Sequence, residues 1–397
     1  MPRSTDEGLL DRLLEGIAGE LPGAIELRRR LHSQPELARA EQQTAATIES
    51  ELPMACETVA QTGRIARVGA GERAPIAVRA ELDALPIRER TGASFSASGE
   101  TMHACGHDVH MAALVALTRA AHALEEQLPV PLLAVFQPSE EAHPSGAQQL
   151  AHEGLAAMRP AAILAAHVHP QLRWGTVGVD AGAVNASFDA IEITIEGQPS
   201  HGAYPHLGRD PILALAQVVL TLHAQVSRRI DPLSPAVLTI GTLEAGSAEN
   251  VIPARARARG ALRTLSQEGR GELRELVEEV VAGVAAANGC HGSVEITPSE
   301  PVLMNDPAIV TAARDLLGAA GLAPAPAWRS CGSDDFAFFA EIAPIVMAFV
   351  GLDGAAGFES RPLHHPGLLP PEEAVGAVAR AQAVLYVAAA SAQTRAR

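Results

Sequence analysis

No position of the 397-residue chain is lysine; its 30 basic residues are all arginine. With the heavy use of Ala and Gly, this reflects coding bias rather than function. An excess of positive charge is also missing. The formal net charge is −16, and an acidic surface repels phosphate backbones, so nucleic acid is excluded as an expected partner. Cysteine is scarce. Cys56, Cys105, Cys290 and Cys331 are scattered without the short spacings of a disulfide framework, which points to a reducing compartment. No run of about 18 consecutive apolar residues is present, so no membrane-spanning segment is expected. The start, "MPRSTDEGLL", lacks the basic stretch and apolar run of a signal peptide. There is no internal repeat. The expectation is a cytoplasmic protein without a membrane partner.

What is present is the texture of a mixed α/β protein. The length exceeds that at which single cores usually split, so two domains are expected. "LLDRLLEGIAGEL" and "AEQQTAATIESEL" have helical period. "APIAVRAELDALP", "VPLLAVFQPSEE" and "AAILAAHVHP" are continuous apolar runs that end in polar clusters. Buried strands of an α/β sheet have this form, and active sites gather at their C-terminal ends. "HMAALVALTRAAHALEEQL" between them reads as a buried helix.

Near residue 184 the texture changes. "SFDAIEITIEG" alternates strictly, as a half-exposed strand does. A helix, two strands ("AVLTIGTLEAG" and "ARARARGALRTL"), a second helix and the strand "GSVEITP" follow. The order β-α-β-β-α-β predicts a ferredoxin-like α+β domain with one open sheet face. It is expected at 184–298, inserted into a larger domain made of 1–183 and 299–397.

The chemistry concentrates in "TMHACGHDVHMAAL", which holds three histidines, a cysteine and an aspartate in eight residues. Cys105 and His107 are two apart and would project to one side of an extended backbone. Thiolate and imidazole suit a borderline-soft divalent metal. Glu140 and Glu141 follow one apolar strand; His167 and His169 follow another. Adjacent carboxylates point in different directions, so one can bind metal while the other faces substrate. That division suits metal-assisted hydrolysis, which needs a ligand and a proton shuttle. "PLHHP" offers His364 and His365, and Asp83 stands where it could orient a ligand. Each residue alone has a plainer reading, as a solvated histidine, a charged surface or a small buried thiol. Their coincidence at the ends of strands of one sheet favours convergence.

These residues carry a resemblance. "RRRLHSQPELARAE", "VRAELDALPI", "MHACGHDVHMAAL", "FQPSEE", "HVHP", "SHGAYPHLGRDPI", "ENVIPARARARGALRT", "GSDDFAFF" and "PLHHP" run nearly end to end. In this order they resemble the amidohydrolase branch of the dinuclear metallopeptidases, which includes hippurate hydrolase, N-acyl-amino-acid amidohydrolases and auxin-conjugate hydrolases. The resemblance implies a discontinuous catalytic domain of the zinc-aminopeptidase type with an inserted lid and dimerisation domain. It implies two divalent ions, zinc, manganese, cobalt or nickel, held by Cys105, His107, Glu141, His167 and His364. Glu140 would be the general base and Asp83 a supporting residue. His201 would stabilise the oxyanion in a partner subunit's site, and Asn250 and Arg263 would bind the substrate's carboxylate. The implied reaction is hydrolysis of a small N-acyl amino acid by a homodimer.

The chain departs from the family pattern at Glu81 and Asp334, where Asp and Glu are usual, and at His143 and Pro144, where glycines are. Three other readings stand beside the leading one. A dipeptidase or carboxypeptidase-like enzyme could use the same scaffold. A cysteine hydrolase would take Cys105 as nucleophile and His107 as base, leaving Glu140, Glu141, His167 and His364 unused. A non-catalytic metal-binding protein would not need Glu140.

Overall fold

A computed structural model describes residues 5–395. The chain forms two compact units. The larger runs up to Gly182 and adds residues 304–328 and 335 onward; the smaller takes 183–303 and 329–334.

The larger unit is built on an eight-stranded mixed sheet. Its strands are β1 (Cys56–Val59), β2 (Gly63–Val68), β3 (Ile76–Glu81), β4 (Leu132–Gln137), β5 (Ala162–Arg173) and β6 (Thr176–Gly178), with Ala323–Pro324 and Ile345–Asp353 from the later part of the chain. The order is β1-β2-β4-β3-β5, then Ile345–Asp353, β6 and Ala323–Pro324. The four central strands, β4, β3, β5 and Ile345–Asp353, are mutually parallel. Both faces of such strands are covered, which is why β3 and β4 are buried at every residue.

One face of the sheet, through Val78, Ala80, Ala134, Phe136, Leu164, Ala348 and Val350, belongs to the main core. Helices α1 (Thr5–Ser33), α2 (Gln42–Glu51), α3 (His107–His122), α4 (Gly146–Glu153) and two later ones, Pro307–Leu316 and Glu373–Arg395, complete the unit. Helices α1, α3 and Glu373–Arg395 pack on one another. Gly16 lets α1 approach α3 closely, since a Cβ there would lie 2.9 Å from that of Ala120. The stretch Glu373–Thr394 is long and apolar enough to cross a membrane, but 94% of its most apolar 18-residue window is buried. It is the core helix of this fold.

The smaller unit has the element order expected from alternation. Strands β7 (Asp189–Glu196), β8 (Ala236–Ala245), β9 (Arg255–Thr264) and β10 (His291–Pro298) pair antiparallel in the order β8-β9-β7-β10, with helices α5 (Pro211–Arg229) and α6 (Gln267–Ala287). Ile191, Ile193 and Ile195 alternate inward and meet Leu215, Val218, Leu276 and Val277 of the helices. Ile193→Ala, which empties the middle of this core, should cost about 2–5 kcal/mol. On the other face Glu192 pairs with Arg259 at 3.0 Å. Buried Asp189 accepts from both Arg270 and Arg274, which pins α6 to β7.

Candidate metal centre

The proposed ligands come from four segments that the parallel strands bring together. Cys105 and His107 flank Gly106, whose φ is +87°. An added Cβ at Gly106 would also come within 2.5 Å of Val168 Cγ2, so glycine is required twice over. The backbone here is a turn that opens α3, not the extended segment expected from the Cys-x-His spacing. A left-handed residue between them, rather than strand alternation, directs the two side chains. Glu140 and Glu141 follow β4, and His167 lies on β5. His364 itself has φ +66°, and its N–H donates to Ala104 O at 2.8 Å. That bond ties the last ligand segment to the neighbour of Cys105.

Donor atoms of Cys105, Glu141 and His364 lie within 4.8 Å of one another, as do those of His107, Glu140 and Glu141. Cys105 Sγ is 3.5 Å from His167 Nε2. Glu141 Oε1 is 3.1 Å from His364 Nε2, and Glu140 Oε2 is 3.8 Å from His107 Nε2. The thiol thus has His167 as a neighbour, whereas a cysteine-nucleophile reading takes His107 as its base.

The tautomers are set by the backbone. His107 Nδ1 meets Asp83 O at 2.8 Å, and His167 Nδ1 meets Val168 O at 2.7 Å. With each Nδ1–H donated to a carbonyl, each Nε2 keeps a lone pair for a ligand. Burial and neighbouring His110 hold His167 well below the usual imidazole range, so it is neutral. His110 is different. Its Nδ1 bonds Glu81 at 2.8 Å and its Nε2 accepts from Val168 N–H at 3.0 Å. Both nitrogens are used, which makes it a support and not a ligand.

Asp83 Oδ2 accepts from the Glu141 N–H at 2.9 Å, which orients the Glu141 backbone. Burial pushes the Asp83 carboxyl up to about 6. Glu81 is buried between Arg79 and His110, and Arg79 reaches on to Gln137 and Asp335.

The donor set fits divalent ions. His107 Nε2 and Asp83 Oδ1 are buried without a hydrogen-bond partner. Such orphans each cost about 1–3 kcal/mol unless something satisfies them. Carboxylates crowd the same place: against the effect of burial, Glu81, Asp83 and Glu141 raise the pKa of His107. Thiolate, imidazole and carboxylate ligands together suit zinc or a similar first-row ion.

His201, Asn250 and Arg263 belong to the smaller unit. His201 pairs with Val251 across two short strands, and Gly202 N–H donates to Asn250 O at 2.7 Å. His201 and Asn250 are exposed. Arg263 lies over the Phe188 ring at 4.8 Å and donates to Cys331 O at 3.1 Å.

Motif reading passed over the buried polar residues behind the centre: Arg79, Gln137 and Asp335, and a second group of Arg28, His32, Glu89 and Asp108. All of these but Glu89 fall within the motifs that carry the resemblance, which assign them no role.

The chain matches the pattern of "Peptidase family M20/M25/M40" over residues 77–385. It is 36% identical over 360 residues to the N-acetyl-L-cysteine deacetylase of Bacillus subtilis, covering 88% of this chain and 84% of that protein. It is 34% identical to the N-acetyldiaminopimelate deacetylase of Bacillus licheniformis, covering 91% and 96%. Among solved structures, it resembles the Bacillus subtilis YXEP protein, described as a dinuclear metal binding peptidase of the M20 family. The TM-score is 0.82 and the identity 31%, covering 93% of this chain and 98% of that one. A buried cluster able to hold metal ions, on this fold and with these relatives, leads to one conclusion: the chain belongs to peptidase family M20/M25/M40 and is a metal-dependent amidohydrolase.

Proposed function

We propose that the protein hydrolyses the amide bond of small N-acyl amino acids, releasing a carboxylic acid and a free amino acid. The observation that carries this reading is Glu140 grouped with His107 and Glu141, beside a second group of Cys105, Glu141 and His364, with His167 next to Cys105. Two divalent ions, zinc, manganese, cobalt or nickel, would be held by those five residues. When bound, they would supply Lewis-acid stabilisation at the amide oxygen and a more acidic water.

The protein's own residues do the rest. Glu140 takes the proton of the attacking water and returns it to the leaving amine. Asp83 holds Glu141 and His107 in orientation. Arg263 and Asn250 grip the free carboxylate, which a planar guanidinium suits. His201 donates to the developing oxyanion.

We further propose a homodimer formed through residues 184–298, with His201 completing the partner's site. The edge strand β8 and the exposed Leu213, Leu220 and Leu243 support it. The free thiols support a reducing, cytoplasmic setting.

A panel of N-acetyl, N-benzoyl and N-indoleacetyl amino acids, run against unblocked dipeptides with metal-reconstituted enzyme, tests the substrate class. Faster turnover of the acylated compounds is expected. Preference for dipeptides would replace this reading with a dipeptidase. Mixing His201→Ala with Glu140→Ala protein tests the shared site: activity returns if His201 acts in trans and stays absent if it acts within its own chain.

A further inference from the structure

The clearest polar construction outside the ligand set lies directly behind it. Arg28 of α1 is fully buried. Its Nε donates to Asp108 Oδ2 at 2.7 Å, and its Nη2 donates to Pro370 O at 3.0 Å. Asp108 adjoins His107, and Pro370 lies six residues beyond His364. One guanidinium therefore joins the two segments that carry Cys105, His107 and His364. They are segments 80 and 342 residues away from it in sequence.

His32 sits one turn further along the same helix face. Its Nδ1 meets the same Asp108 Oδ2 at 2.9 Å, and its Nε2 meets Glu89 Oε1 at 3.0 Å. Glu89 in turn accepts from Ala97 N–H at 2.7 Å and from the Thr91 hydroxyl. It thereby anchors the irregular loop that leads into the cysteine turn. Phe95 of that loop packs edge-on against His32 at 5.3 Å and beneath Arg28 at 5.3 Å. Next door, Arg29 makes a two-pronged contact with Glu372, at 2.7 and 2.9 Å.

Stability alone is a weak reason for such a construction. Buried ion pairs can often be exchanged for apolar groups at no loss, because desolvation offsets their attraction. Their use lies in fixing geometry. A metal site needs that service, since partners behind the ligands alter metal affinity roughly 10–100-fold when removed.

We propose that Arg28 and His32 are positioning residues of the metal centre. They clamp the 103–108 and 364–370 segments in one register, so that Cys105, His107 and His364 stand together before an ion arrives. This rests on the reading of those residues as ligands.

The test uses Arg28→Lys and His32→Gln. Arg28→Lys keeps a charge beside Asp108 but lacks the fork that reaches Pro370 O as well. The control is Tyr386→Phe, which deletes the buried hydroxyl bonded to Val130 O in the same unit. Each protein is loaded with Co(II). Two quantities are read: the thiolate-to-cobalt absorption band and the rate of metal loss to a chelator. Both are set against the melting temperature of the metal-free form. The clamp variants should lose metal about 10–100-fold faster and show an altered band. The control, at a comparable melting temperature, should match wild type. Metal loss that follows melting temperature alike in clamp variants and control would overturn the proposal. If Arg28→Lys does not fold, His32→Gln carries the test. Wild type that takes up no cobalt would instead remove the ligand reading, and the clamp with it.

Discussion

The two regions credited with catalysis are built in opposite ways. Around the metal centre Asp83, Cys105, His107 and His167 are buried, Glu140 and Glu141 are half-buried and His364 stands exposed at the rim. His107, His110 and His167 are fixed by bonds from both ring nitrogens or by a backbone carbonyl. In the smaller unit His201 and Asn250 are exposed. The difference suits the tasks proposed for them. A metal site must be assembled before its ion arrives, and misplacement is costly. Groups that grip a substrate end must let it in and out, so they suit exposed turns on a body that can move.

The largest effects should come from the buried region. Glu140→Ala should lower kcat by roughly 10²–10⁴-fold with metal content unchanged, because it removes proton transfer and no ligand. Glu141→Ala should lose metal as well as activity. Elemental analysis beside steady-state kinetics separates the two, and a reversed pattern would mean their roles are exchanged.

Next comes the exposed region. His201→Ala should cost about 10²–10³-fold in kcat. Metal content and melting temperature should both stay at wild-type values. If His201→Ala depletes metal, the contrast between the regions fails. Arg263→Met should act mainly on KM, raising it about 10–100-fold for substrates with a free carboxylate, as loss of a charged hydrogen bond implies. Esterified substrates should barely register the change.

The smallest effect concerns pH. Burial alone would lower the His32 pKa, but the Asp108 charge and the bonds to Asp108 and Glu89 raise it to about 9. A raised pKa stabilises the fold fully below the unfolded value near 6.5, and that contribution is lost as pH climbs through 9. The metal-free protein should therefore lose stability between neutral pH and about pH 10. His32→Gln should flatten this decline. An unchanged slope in that variant would assign it to other groups.

The same contrast explains what the sequence could disclose. Strand alternation in "SFDAIEITIEG" and the apolar runs before "PSEE" and "HVHP" are local signals, and the observed strands follow them. The hydrolytic family was legible because its donors sit in short motifs. The Cys105–His107 geometry was misjudged because spacing does not encode the left-handed Gly106. The short hairpin of β1 and β2 has too few residues for a period to register. The Arg28–Asp108–Pro370 clamp and the Arg79–Asp335 bond join positions 80 to 342 residues apart. No local pattern carries such pairings; only the folded sheet does.

The central claim is that Cys105, His107, Glu141, His167 and His364 form a dinuclear metal centre on which hydrolysis depends. Elemental analysis of the purified protein tests it most directly, with hydrolysis of an N-acetyl amino acid followed in the same samples. Wild type should hold two divalent ions per chain. Cys105→Ser and His364→Ala should hold fewer, and activity should fall and return with chelation and metal addition. Full hydrolysis by protein stripped of divalent metal would contradict the account.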